Sequence, residues 1–469
     1  MDVATTGKLR KTEKISYGFG DLASVLYWQT FMLYFTYFYT DVFLIPASAA
    51  ATMFLVSRLW DGLNDPIMGM IADRTKTRWG KFRPYLLWLC VPFAIIGVLT
   101  FTVPNFAPSG KMIWAYATFI LIMMLYTGIN IPYTALLGVI SPDSNERTSV
   151  SSIKFIFAYA AGIIVSATLL PMVKALGGNS QVRGWQLSFV VYGVAAILFF
   201  LIAFRGTRER VKPPKTQKSS IKQDLYELVT NGPWLILLGA TLTFILFVAV
   251  RGSVTAHYFK YVIGAQQLSI PLLGAKTYDF ETLVSAFNTV GQISSLLGVL
   301  IVNWFARVVG KKKTFLIFFI VAILSTAGFY LLSARQLPLI YLLQITGSLT
   351  GGPLSVLLWA MYADTADYAE WKRGRRTTGL VFSASTMSQK FGWAFGAYVA
   401  LTLMSQVGFS PNQAQTNDSL KGLILLFSLI PAAFGAVSMI ILFFYPLHDK
   451  RVATITAELS ERRGRMENE

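Results

Sequence analysis

Charge is scarce in this chain. Only 14% of its 469 residues are Asp, Glu, Lys or Arg, against about 25% in a soluble domain. A water-facing globular surface is therefore excluded for most of its length. Cysteine is nearly absent. Cys90 stands alone in an apolar run, which excludes an internal disulfide and reads as a small core residue. His257 and His448 are the only histidines and lie far apart, so no Cys–His cluster marks a metal centre. No catalytic motif stands out, and no appended signalling domain is expected. No cleavable leader is expected, because the first apolar segment is too long for a signal core and no A-x-A-like site follows it. Acidic residues are outnumbered, giving a formal net charge of +18. The excess base sits in short loops between apolar segments, a topology signal rather than a nucleic-acid surface.

Apolar sequence is what the chain has in plenty. It is 54% hydrophobic, in runs of about 20 residues, each long enough to cross a bilayer. The runs are too long and continuous for barrel strands, so backbone satisfaction in lipid requires helices. Twelve spans are expected, at about 16–39, 47–72, 83–103, 112–136, 149–173, 185–205, 233–261, 281–306, 314–333, 337–363, 377–407 and 419–446. The fold class is then an all-α membrane protein of two six-helix bundles, at 1–204 and 232–447. A charged, Pro-containing linker (205–231) joins them, and a polar tail (448–469) follows. Most of the Lys and Arg fall in loops on the same side as both termini. The other side holds Lys111, Lys174, Arg183, Lys260, Lys276, Arg335 and Lys421. This asymmetry predicts a multi-pass membrane protein with both ends cytoplasmic.

A faint repeat runs through the chain. The second span is followed by D-R-T-K-T-R-W-G-K and the eighth by A-R-V-V-G-K-K-K. Asp143, Glu146 and Arg147 after the fourth are echoed by Asp367, Glu370, Arg375 and Arg376 after the tenth. Parallel six-helix repeats are the plan of major-facilitator carriers, with the substrate site between the halves. Arg147, Asp364, Asp367 and Arg376, at the cytoplasmic span ends, are the gating candidates.

The stretch Trp60 to Tyr85 organises the rest. Within an apolar segment it carries Asp61 and Asp65, one turn apart on a single helix face, with Asn64 between them. Each charge at membrane depth costs roughly 2.5–3.5 kcal/mol. Two like charges this close favour a proton or a bound cation between them. Arg58 can pair with one carboxylate but not both, so an ion site is the better reading. In the fourth span Tyr126, Thr127, Asn130 and Tyr133 cluster around Pro132. Thr127 either bonds its own backbone or offers a hydroxyl oxygen to a hard cation; beside Asp61, Asn64 and Asp65 the second is expected. Asp21 lies either at the inner surface or inside the bundle. Lys154 either snorkels or points inward, and the inward placement is expected. Arg251, near the outer end of its span, is either an interface charge or a buried one. Lys390 is mid-span and needs a partner or a wet cavity. It is expected to approach Asp61 or Asp65, with Thr386 on its face. Trp393 either stacks on a sugar or packs in the core or against lipid.

Together W-D-G-L-N-D-P-I-M-G, R-W-G-K-F-R-P, Y-T-x-x-N-I-P-Y, A-D-T-A-D-Y-A-E-W and the Lys390 span resemble the glycoside–pentoside–hexuronide:cation symporter family. The resemblance covers nearly the whole chain. It implies a twelve-helix major-facilitator fold, a monomer, and sugar uptake coupled to Na⁺, Li⁺ or H⁺, with no other cofactor and no nucleic-acid partner. By matching motifs it puts Asp61, Asn64, Asp65 and Thr127 in the cation site, with Na⁺ held at Asp61 and Asp65. It puts Tyr126, Asn130, Thr386 and Lys390 in the sugar and coupling site, and Lys154 near it. The chain departs from the family's galactoside carriers, which hold sugar with carboxylates in helices 1 and 4. The matching positions here are Val25 and Asn130, flanked by Ser24 and Thr134. A neutral pentoside or an anionic hexuronide is therefore expected. The rival readings are a lysophospholipid carrier on the same fold and a non-transporting sensor or membrane enzyme.

Overall fold

The computed structural model describes residues 9–141, 144–210, 226, 229–270, 274–373 and 378–467. Every expected span coincides with helix. In chain order these are α1 (Lys11–Tyr37), α2 (Ala47–Arg74), α3 (Arg83–Thr100), α4 (Pro108–Val139), α5 (Ser144–Gly177), α6 (Gln181–Gly206) and α7 (Gly232–His257). After the hairpin β1 (Gln266–Ile270) and β2 (Gly274–Tyr278) come α8 (Phe280–Val309), α9 (Lys311–Gly328), α10 (Leu337–Gly351), α11 (Leu354–Arg373) and α12 (Thr378–Gln406). The chain ends with α13 (Asn417–Phe427), α14 (Leu429–Phe443) and α15 (Asp449–Glu467).

Two expected spans are broken. The tenth divides into α10 and α11 at Gly351–Gly352–Pro353, where Pro353 has no N–H to continue the ladder. The twelfth divides into α13 and α14 at Ser428, whose backbone (φ −123°, ψ −82°) leaves the helical region. Its hydroxyl turns back to the Ile424 carbonyl at 2.6 Å, and Pro431 lies in the first turn beyond. Helix starts follow ordinary capping rules. Ser180, Asn231 and Thr416 accept from the backbone N–H three residues on.

The chain forms two compact units. One takes in residues 1–215, 267–289 and 409–414; the other takes in 216–266, 290–408 and 415–469. The start of α8 thus clusters with the N-terminal helices. In the first unit α1 packs on α5 and α6, and α3 packs on α4 and α6. Phe101 and Trp185 stack there at 5.4 Å and 9°. In the second unit α7 packs on α12 and α14, around a core that includes Trp234, Phe244, Phe315 and Phe319. Arg251 lies inside this unit, over the rings of Phe329 (4.7 Å) and Phe427 (4.9 Å), and donates to Gln344 at 2.8 Å. The residue as a whole is half-buried.

The repeat that is faint in sequence is plain in structure. The first helix of each half ends in a π-helical turn, Phe38–Val42 and Tyr258–Ile263. The third helix of each half is preceded by a left-handed glycine, Gly80 (φ 111°) and Gly310 (φ 95°). Each of these glycines faces a carboxylate that follows the half's last span. Glu209 accepts from the N–H groups of Lys81, Phe82 and Arg83 at 2.9, 2.8 and 3.0 Å. Asp449 accepts from the N–H of Lys311 at 2.9 Å. Both satisfy orphan donors at a helix start and complement its positive end.

Candidate functional site

In the first unit α2 packs against α4, and this contact assembles the acidic group. Asp61 is 1% exposed. Asp65, one turn on, is half-buried. Thr127 of α4 donates its hydroxyl to Oδ1 of Asp65 at 3.0 Å, so the threonine serves the carboxylate of its neighbour helix. Asn64 is half-buried between the two acids in sequence. Among these candidates the contact is that of Thr127 with Asp65; all four side chains carry oxygen, the donor type that a hard cation takes. Among the described residues no three or more His, Cys, Asp or Glu converge as a metal centre, so the hydroxyl and amide are needed to complete any cage. The side chain of Arg58 lies outside the described residues.

A second group lies along α1, α4 and α5. Lys154 points inward: its ammonium stands 3.7 Å from Oδ1 of Asp21 and 5.7 Å from the centre of the Tyr133 ring. Asp21 is 8% exposed, so it is inside the bundle. Tyr133 and Tyr17 stack at 4.5 Å and exchange hydroxyl-to-carbonyl bonds of 3.0 and 2.7 Å. Gly20 lets Tyr133 approach, since a methyl there would collide with the ring. On the same side of α4, Asn130 donates its amide to the Tyr126 carbonyl at 3.0 Å. Trp28 of α1 stacks on Tyr126 with centroids 5.5 Å apart and planes at 25°. Charge and polarity do not point to Trp28; its place seven residues after Asp21 does.

The remaining candidates separate by place. Thr386, Lys390 and Trp393 lie on α12 in the second unit, Thr386 exposed and Lys390 half-buried. Trp393 packs against the hydrophobic core of that unit. Asp364 is held by Lys311, whose ammonium reaches its two oxygens at 2.7 and 2.5 Å, and Asp367 is half-buried beside it. Arg147 donates to the Ser141 carbonyl at 2.9 Å. Its neighbour Glu146 binds Lys14 (2.9 Å) and the N–H of Leu9 (3.0 Å). Arg376 lies outside the described residues.

The family profile described as "MFS/sugar transport protein" matches residues 16–449. The chain belongs to that family. This major-facilitator protein is similar to the inner membrane symporter YicJ of Escherichia coli (strain K12), 34% identical over 97% of this chain and 96% of the relative. It is 35% identical to the isoprimeverose transporter of Lactiplantibacillus pentosus, over 96% of this chain and 91% of the relative. These relatives place it in the glycoside–pentoside–hexuronide branch, as the motifs imply. The fold is also that of a solved bacterial homologue of the human lysosomal transporter Spinster, with a TM-score of 0.65 and 14% identity over 94% of this chain and 99% of that one. The protein is a membrane transporter, not an enzyme.

Proposed function

We propose that this carrier takes up a sugar or glycoside together with a cation, with Asp61, Asn64, Asp65 and Thr127 as the ion site. The observation that carries the reading is the Thr127–Asp65 hydrogen bond beside buried Asp61. It gathers oxygen ligands from two helices around carboxylates that are costly at this depth without a cation or a proton. The names of relatives support the substrate class: an isoprimeverose transporter, a putative glycoside/cation symporter and a glucuronide carrier homologue. Tyr126, Asn130 and Lys154 in the first unit, and Thr386 and Lys390 in the second, supply the sugar-contacting groups in this reading.

The ion neutralises Asp61 and Asp65, sugar then binds well, and the loaded carrier alternates its access. Each ligand raises the other's affinity by the same factor. The ion is Na⁺, Li⁺ or H⁺, no further cofactor takes part, and the protein works as a monomer with both termini cytoplasmic. No observation favours a lysophospholipid carrier. The deciding experiment is a solute panel in proteoliposomes with imposed Na⁺ or H⁺ gradients. Gradient-driven accumulation of a glycoside is expected; accumulation of lysolipid alone would overturn the reading.

A further inference from the structure

We infer that Trp28 is the sugar-stacking platform of the first unit, and that the wall it belongs to takes an uncharged glycoside. The inference rests on the sugar-transport reading above. Most of α1 is buried against α5 and α6, but Val25, Trp28, Gln29 and Met32 form a half-exposed stripe at helical spacing. Two contacts tie this stripe to α4 and α5. Trp28 stacks on Tyr126. Seven residues earlier on α1, Asp21 meets Lys154 beside Tyr133, which is seven residues later on α4. The helices run in opposite directions, so the two contacts share one wall about 10 Å apart.

The chemistry of that wall is specific. A sugar ring presents a face of C–H groups, and a flat indole is the apolar surface that matches it. Its hydroxyls need short polar partners, and the amides of Gln29 and Asn130 lie on the same stripe and the facing helix. Among the described residues of this wall the cation is Lys154, already balanced by Asp21. A carboxylate-bearing sugar would lose its hydration against this wall and would have to draw Lys154 away from Asp21. An uncharged glycoside meets no such cost. An aromatic pair that only filled the core would be buried, whereas Trp28 and Tyr126 are both half-exposed.

The test uses the full-length protein in nanodiscs at saturating cation. The probes are methyl β-D-xyloside, methyl β-D-galactoside and methyl β-D-glucuronide. Trp28→Leu and the longer Trp28→Met both remove the ring while keeping apolar bulk. Each is expected to weaken the best uncharged probe about tenfold, and Trp28→Phe by less than about threefold, with cation binding and melting temperature unchanged. Asp21→Asn releases the charge on Lys154 and is expected to raise affinity for the glucuronide about tenfold relative to the uncharged probe, a change that a purely structural role would not produce. Unchanged affinity in both ring-less variants overturns the platform. A wild-type preference for the glucuronide overturns the uncharged assignment. If the wild type binds none of the three while accumulating another class of solute, the sugar-transport reading falls and this inference falls with it.

Discussion

The carboxylate of Glu209 fills the space that a side chain on Gly80 would occupy. It also accepts three consecutive backbone N–H groups from the start of α3. Asp449 stands in the same relation to Gly310 at the start of α9. Neither glycine position admits a β-carbon without displacing the acid, and both have positive φ, where L side chains are strained.

Gly80→Ala and Gly310→Ala are therefore expected to destabilise the protein by about 1–3 kcal/mol each. Glu209→Gln keeps one accepting oxygen but turns the other into an NH₂ that cannot accept, so it should also cost about 1–3 kcal/mol. Thermal melting in detergent checks this. Equal melting temperatures for wild type and Gly80→Ala would refute the close fit.

Asp65→Asn is expected to abolish cation-driven accumulation while leaving sugar exchange, since exchange does not need the gradient. Thr127→Val should raise the cation concentration for half-maximal uptake about tenfold, equivalent to the net strength of one hydrogen bond to a charged group. Thr127→Ser, which keeps the hydroxyl, should stay near wild type. Uphill uptake in Asp65→Asn would remove that residue from the ion site.

Lys174 pairs with Asp279 in the first unit. Partial burial raises the Asp279 carboxyl, but the Lys174 ammonium and the hydrogen bonds from Thr282 outweigh it, so its pKa lies below the ordinary value. A lowered acid pKa contributes stability above the unfolded value of about 3.9, lost as the pH falls through the folded value. The Lys174 side chain is largely exposed and Asp279 is half-buried, so the coupling should be under about 1 kcal/mol. A double-mutant cycle with Lys174→Gln and Asp279→Asn should show it at pH 7 and find it shrinking as the pH falls below about 3.9.

Arg251 bridges two phenylalanine rings and Gln344. Lysine has neither the planar fork nor the flat face for this. Arg251→Lys is expected to lower stability by about 1–2 kcal/mol, read as a lower melting temperature.

The spans were legible because a bilayer imposes a length on apolar runs, and all twelve coincide with helix. The breaks at Gly351–Pro353 and Ser428 escape that argument, since hydropathy does not register a missing N–H. The hairpin β1–β2 lies in a polar loop where hydropathy carries no signal. The nearness of Thr127 to Asp65 was legible, because a hydroxyl and acids at membrane depth are each costly without a polar partner. The inward placement of Lys154 was legible, but its partner was not, because Asp21 read equally well as a surface charge. Trp28 was not singled out, since the reading of the spans followed charge and polarity, and only the α1 stripe reveals it. The Glu209 contact joins segments 126 to 128 residues apart, a separation with no periodicity to read.

The paired acids after the sixth and last spans have one further consequence. The first contact needs nothing beyond Arg210, and the second nothing before Lys311. Each half thus carries its own tether from end to middle, independent of the peptide that links them. A gene cut between Arg210 and Tyr226 and expressed as two fragments in the same cell should still restore uptake.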